Sequence, residues 1–324
     1  MKKTTNIFLL LALVCFTTCK KDDLKLDLEY DVDIKNLGLV IDYIDSVRNI
    51  PVERSYLLTP DQNSGHNFAY PELTVLKDSS LMMVAKSSNA NIEDFAKADL
   101  IKLISNNRGR TWKKGEYFST AFPDAINSSM PSIVRIDENR LLLIYLVKYN
   151  NKRIVLKCEE SSDNGKTWSA PKTIYGENEG YQIINNSRAI LAGSRVIIPV
   201  CIPHGGNMNN YLKQKPSMLI YCYYSDDYGK TWKKTKAFST PKYDLLEPGI
   251  VWLKDKELLM TIRTDVGKVL FARSYNLGDN WQFEESNINS PSSPQSIKRI
   301  PGTNTLVMVW NDNNQNSSSH GGNR

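Results

Sequence analysis

One eight-residue pattern occurs four times in this chain and restricts its fold more than any other feature. Ser161-Ser162-Asp163-Asn164-Gly165-Lys166-Thr167-Trp168 reads S-x-D-x-G-x-T-W, and Ser225 to Trp232 repeats it. Ser105 to Trp112 carries Asn107 in place of the Asp, and Ser274 to Trp281 keeps the Ser, Gly and Trp around Asn276. Asp or Asn accepts backbone hydrogen bonds across a tight turn, and Gly supplies a positive φ. Trp brings more apolar area than one hairpin can cover, so it has to pack between neighbouring sheets. The pattern therefore predicts four hairpin turns, each ending on a packing residue.

A second element alternates with the first. Tyr70–Lys86, Met130–Leu146, Asn185–Cys201, Glu247–Arg263 and Pro294–Asp312 each read strand, polar turn, strand. Runs such as Leu141-Leu142-Leu143-Ile144 and Val196-Ile197-Ile198 suit strands covered on both faces. One such hairpin plus one tryptophan hairpin makes a four-stranded unit. The tryptophans at 112, 168, 232 and 281 recur at the length of a propeller blade with loop insertions. A β-sandwich or β-helix would not place a tryptophan turn at every second hairpin. The expected fold is all-β, a β-propeller over residues 36–324.

The N-terminus reads as a targeting segment. Lys2 and Lys3 precede an apolar run from Ile7 to Phe16, too short for the ~20 residues that span a bilayer. Phe16-Thr17-Thr18-Cys19 resembles a bacterial lipobox, and Lys20-Lys21-Asp22-Asp23 resembles a lipoprotein surface-export signal. The expectation is a signal peptide over 1–19, lipidation at Cys19 and a charged linker over 20–35. The protein would then sit on the cell envelope, as an outer-membrane or surface lipoprotein held by acyl chains alone. An ordinary cleaved signal is the alternative. The formal charge of +6 includes Lys2 and Lys3, and the remaining basic residues are scattered, which argues against a nucleic-acid partner. Cys158, Cys201 and Cys222 lie in apolar surroundings and read as buried free thiols. The three histidines show no metal-ligand spacing, so neither metal nor cofactor is expected.

The repeated S-x-D-x-G-x-T-W elements resemble the Asp boxes of the sialidase (neuraminidase) superfamily, and the likeness covers residues 50–324. It implies a six-bladed propeller whose last blade is incomplete in this sequence. It also implies a glycoside hydrolase acting on terminal sugars such as sialic acid, with a central site. In that family three arginines clamp a carboxylate, an Asp acts as acid/base, and a Tyr–Glu pair supplies the nucleophile. The guanidinium fork suits a carboxylate, and sialidases depart from the usual two-carboxylate glycosidases.

On this sequence Glu247, in Glu247-Pro248-Gly249, and Arg263 resemble the family's Glu and second arginine. A hairpin brings both to the same end of one strand pair. A turn-flanking Glu and a surface Arg are the alternative. Asp94 resembles the acid/base Asp on a loop, although a solvated loop charge fits the residues equally. Arg324 resembles the third arginine, and the nucleophilic Tyr is expected beyond it. At the first arginine position, in Phe68-Ala69-Tyr70-Pro71, stands Ala69. Tyr70 or Lys86 at the mouth, and Arg188, are candidates for the missing polar contact. Arg188 also reads as a solvent-exposed strand end. Three functions stay open: a monomeric hydrolase of terminal sugars, a surface glycan-binding propeller without catalysis, and an inactive fragment with an open strand edge.

Overall fold

The computed structural model describes residues 67–311 except 90, 92, 110, 114, 119–121, 123, 176–178 and 211–215. It also describes the backbone of two short strands, β1 (Asn6–Phe8) and β2 (Val40–Tyr43). Cys19, the 20–35 linker and Arg324 lie outside the described residues.

Four antiparallel meanders follow in chain order. The first is β3 (Asn67–Val75), β4 (Leu81–Ser88), β5 (Asp99–Ser105) and β6 (Glu116–Tyr117). The second is β7 (Asn127–Arg135), β8 (Leu141–Asn150), β9 (Arg153–Ser161) and β10 (Lys172–Tyr175). The third is β11 (Ile190–Ala192), β12 (Arg195–Pro203), β13 (Met218–Ser225) and β14 (Lys233–Lys234). The fourth is β15 (Leu246–Lys254), β16 (Glu257–Arg263), β17 (Lys268–Ser274) and β18 (Gln282–Asn289). A fifth sheet holds the hairpin β19 (Ser296–Arg299) and β20 (Leu306–Val309), with β1 and β2 pairing parallel beyond β20. The only helical turns among the described residues are two short 3-10 pieces, His204–Gly206 and Met208–Asn210.

Each tryptophan turn joins the third and fourth strands of its sheet. In the second sheet the Ser161 Oγ accepts from the Gly165 N–H at 2.8 Å, and Asp163 Oδ1 accepts from the Thr167 N–H at 2.8 Å. Asp227 makes the same bond to Thr231 at 2.8 Å, Asn107 to Thr111 at 2.9 Å and Asn276 to Asn280 at 3.0 Å. The degraded copies thus keep the turn because Asn offers the same acceptor. Gly165 and Gly229 sit at φ +85° and +91°, and a Cβ on Gly229 would lie 2.7 Å from Leu142 of the preceding sheet. Glycine is needed there for its conformation and for the close approach of two sheets.

Trp112 packs within the first sheet, against Met83, Ala85, Ile101 and Leu103, and not between sheets as expected; the rest of the core lies between sheets. Trp168 packs on a cluster shared by the first and second sheets, with Met82, Val84, Leu141 and Leu143. Trp232 closes the layer between the second and third, and Trp281 that between the third and fourth. Val251, Phe271, Ile297 and Met308 join the fourth to the fifth. Leu141 to Val147 are all buried, as a strand covered on both faces requires. Stacked four-stranded sheets sharing such layers fit a β-propeller. Cys158, Cys201 and Cys222 are buried free thiols, and burial pushes Cys158 up to about 11 and Cys201 up to about 12.

The repeat contains its own control for a pH experiment. Bonds from the Thr167 hydroxyl and N–H hold Asp163 down at about 2. At Asp227 slight burial works the other way, but bonds from Thr231 and Ser225 outweigh it and hold it at about 2. A depressed folded pKa means that the stabilisation is present above the unfolded value of ~3.9 and is lost as pH falls through the folded one. Hydrogen exchange between pH 4.5 and 2 is expected to show the Thr167 and Thr231 amides losing protection. The Thr111 amide, held by the non-titrating Asn107, should not. Equal loss at all three would refute this account of the turns.

Candidate active site

Three first strands, β3, β7 and β15, carry the same irregularity. Tyr70, Met130 and Glu247 have φ of 55°, 56° and 45°, and each directly precedes a proline. The ladders slip at these points, between Ala69 and Glu72, Ser129 and Ser132, and Leu246 and Gly249. A residue before proline normally stays extended, and a left-handed non-glycine residue costs about 1–3 kcal/mol. A bulge re-aims the side chain that it displaces. All three side chains line one cavity of about 660 Å³, together with Asp94, Lys148, Tyr181, Asn186, Arg263 and Pro294.

One wall is the Asp94 loop. Tyr70 Oη donates to Asp94 Oδ1 at 3.2 Å, and Lys148 Nζ lies 3.7 Å from the same oxygen. Lys148 also reaches the Asp94 carbonyl at 3.3 Å, and Asn127 Nδ2 donates to the carbonyls of Asp94 and Ala96, each at 2.9 Å. Lys86 Nζ donates to the Glu93 carbonyl at 2.6 Å. Both lysines are buried, and burial lowers the pKa of each, opposed for each by Asp94. An irregular loop is thus pinned by buried side chains from the strands beneath it, while the Asp94 side chain stays 54% exposed. Tyr181 stands beside it, pushed up to about 12 by burial and then by the Asp94 charge.

A second wall is the β15–β16 pair. Leu246 registers with Arg263, and Arg263 Nη1 meets Glu247 Oε2 at 2.6 Å. Arg263 Nε donates to Ser292 Oγ at 3.1 Å, and Cys201 Sγ accepts from the Glu247 N–H at 3.3 Å. As expected from the sequence, the hairpin brings both residues to the same end of one strand pair.

Beneath the cavity the segment from Asn186 to Ala189 ties the sheets together. Asn186 Nδ2 donates to Pro71 O at 2.7 Å, the Ser187 N–H to Pro131 O at 2.9 Å, and the Arg188 N–H to Ser132 Oγ at 2.9 Å. Lys298 Nζ donates to Ser187 O at 2.7 Å. These bonds replace a ladder, so the first strand of the third sheet shrinks to Ile190–Ala192 instead of starting near Asn185. Glu72 is buried here, its pKa raised by burial and opposed by Lys298, Ser187 and Arg188. Arg188 is buried too, and burial lowers it to about 10 against the pull of Glu247 and Glu72. A Cβ on Gly249 would lie 2.5 Å from Arg188 Nη1, so this glycine makes room for the guanidinium.

Residues 128–321, well over half of the chain, match the BNR repeat-like domain. The chain belongs to the BNR repeat-like family. No curated protein matches it in sequence. Among solved structures it is similar to the NanB sialidase of Streptococcus pneumoniae as its K499G mutant, at TM-score 0.61 and 15% identity over 79% of this chain and 58% of that one. It is also similar to the intramolecular trans-sialidase of Ruminococcus gnavus, at TM-score 0.58 and 13% identity over 76% and 77% of the two chains. The sialidase of Trypanosoma rangeli gives TM-score 0.56 and 17% identity over 75% and 43%. The chain therefore spans less than two thirds of the pneumococcal and trypanosomal proteins, and the likeness is one of fold. A BNR repeat-like chain with sialidase-like architecture is what the sequence led us to expect.

Of the residues singled out from sequence, the structure brings Asp94, Glu247, Arg263 and Tyr70 to one cavity of this BNR repeat-like chain. It does not bring Arg188 there. Arg188 lies under the floor, neither a cavity contact nor a solvent-exposed strand end, because Gly249 and Ser132 hold it between strands. Lys86 is likewise not at the mouth but buried under the Asp94 loop, reached from a strand position paired with Ala69. Lys148, Tyr181 and Glu72 were not anticipated. A lysine closing the apolar run Leu141–Val147 and a glutamate after Tyr70-Pro71 were the available signals.

Proposed function

We propose that the chain is a sialidase-like glycoside hydrolase acting on terminal sugars of glycoconjugates. The observation that carries this reading is the pairing of two walls in one cavity. An exposed carboxyl group, that of Asp94, stands on a pinned loop and acts in its protonated form, and the Glu247–Arg263 pair stands on the strained end of β15. Among the described residues Tyr70 and Lys148 contact Asp94 Oδ1, and no contact engages Oδ2. Asp94 then gives a proton to the glycosidic oxygen as the bond to the anomeric carbon breaks, and recovers it from the water that adds. Arg263 and Glu247 orient the sugar from the other wall. Tyr70, Met130 and Leu146 supply apolar surface for the ring. The sheets are read as blades of a six-bladed ring.

The test is release of sugar from aryl glycosides, sialosides included, and from whole glycoproteins, followed by mass spectrometry. Release of a terminal sugar supports the hydrolase. A second reading, glycan binding without cleavage, is favoured by Ala69 and by the engagement of Arg263 with Glu247 and Ser292. Glycan-array binding with no release would establish it, and neither binding nor release would reject both.

We also propose that Cys19 is acylated and holds the protein on the cell envelope. Cys19→Ser is expected to move the protein from the detergent phase to the aqueous phase on Triton X-114 partition. An unchanged distribution would reject the anchor.

A further inference from the structure

A second cavity, of about 340 Å³, lies between the outer parts of the first and second sheets and shares no lining residue with the central one. Its size is at the low end for small-ligand pockets, ~300–1,000 Å³. Phe118 and Trp168 form one corner, edge to face with ring centroids 5.7 Å apart, and Tyr117 extends the aromatic wall. Glu159 lies at the floor. It is buried on β9, and its Oε1 accepts from the Tyr145 hydroxyl at 2.6 Å. Among the described residues Glu159 has no ion pair, and Tyr145 is the one group that offsets its burial. A buried carboxyl without a cation is costly, and the proposed reaction does not use it.

The chemistry of this pocket selects its ligand. A purely apolar molecule would leave Glu159 without a further hydrogen-bond donor. A cation would meet Lys102, whose ammonium stands at the rim 3.4 Å from Glu116 and 3.4 Å from the carbonyls of Gly165 and Lys166. A neutral molecule with one apolar face and several hydroxyl donors satisfies both walls. We propose that this rim pocket is a second glycan subsite, taking a neutral pyranose whose C–H face lies on the Tyr117–Phe118–Trp168 wall and whose hydroxyl donates to Glu159. The subsite holds a neutral sugar of a glycoconjugate at a distance from the central cavity, and it stands whether or not that cavity hydrolyses anything.

Saturation-transfer NMR on the full chain tests it, with methyl glycosides of galactose, mannose, fucose and N-acetylglucosamine as probes and tetramethylammonium as the cationic contrast. At least one sugar is expected to give signals that Glu159→Gln and Tyr117→Ala each cut by fivefold or more and that Glu247→Gln leaves intact. Glu159→Gln keeps the side-chain shape, and Tyr117 is exposed, so two independent variants report on the pocket. The proposal is overturned if no neutral sugar binds, if binding survives both rim variants, or if tetramethylammonium alone binds. Binding lost only in Glu247→Gln places the sugar in the central cavity and also overturns it.

Discussion

Asp94→Asn is expected to lower kcat for glycoside cleavage by about 10²–10⁴-fold, the usual contribution of a positioned general acid. The protein should still fold, because the Asp94 side chain is half exposed and its loop is held through backbone carbonyls by Lys86, Lys148 and Asn127. KM should change little, since the carboxyl acts on the bond that breaks and not on the rest of the sugar. Glu247→Gln is a different case. It also removes activity, but it breaks a 2.6 Å pair whose partners are only 17% and 10% exposed. Part of its effect is therefore loss of stability, with a lower melting temperature that Asp94→Asn does not share. Steady-state kinetics and thermal melts on the two variants separate these outcomes. Wild-type kcat in Asp94→Asn would remove Asp94 from the mechanism.

Glu72→Met is expected to destabilise the fold by about 3–5 kcal/mol, the cost of leaving buried charge without its counter-charge. Glu72 lies among Lys298, Ser187 and Arg188 under the cavity floor, and its Oε1 also accepts from the Ile133 N–H at 3.4 Å. Removing it leaves the buried Arg188 and the exposed Lys298 without the charge that opposes both: desolvation lowers the pKa of Lys298, and Arg188 lowers it further while Glu72 opposes. Adding Lys298→Met should restore much of the loss. Urea unfolding of the wild type, both single variants and the double variant gives the coupling directly. Additive losses would show that these charges do not act as a unit.

The parts of the fold legible from sequence are those set by local chemistry at fixed spacing. Ser, Asp or Asn, and Gly specify the repeated turn without reference to the rest of the chain, and Trp168, Trp232 and Trp281 then pack where an inter-sheet residue must. The Glu247–Arg263 pair was legible for the same reason, because the register of one hairpin decides it. What was not legible depends on contacts between sheets. Arg188 follows polar residues and looks solvated, yet Gly249, far along the chain, opens the space that buries it. Lys86 and Lys148 look like surface lysines until the Asp94 loop folds over them. The bulges at Tyr70, Met130 and Glu247 were hidden because a residue before proline is expected to be extended. At these three positions the ladder slips and the residue before proline takes a positive φ, and all three residues line the cavity.

The central claim is that a terminal sugar sits between Asp94 and the Glu247–Arg263 pair. A crystal structure of the Asp94→Asn protein soaked with a glycan that the wild type cleaves tests it most directly. The account predicts density for one sugar ring in the central cavity, its glycosidic oxygen next to residue 94 and its ring against Tyr70 and Met130. A cleaved glycan bound elsewhere, with the central cavity free of sugar, would contradict it.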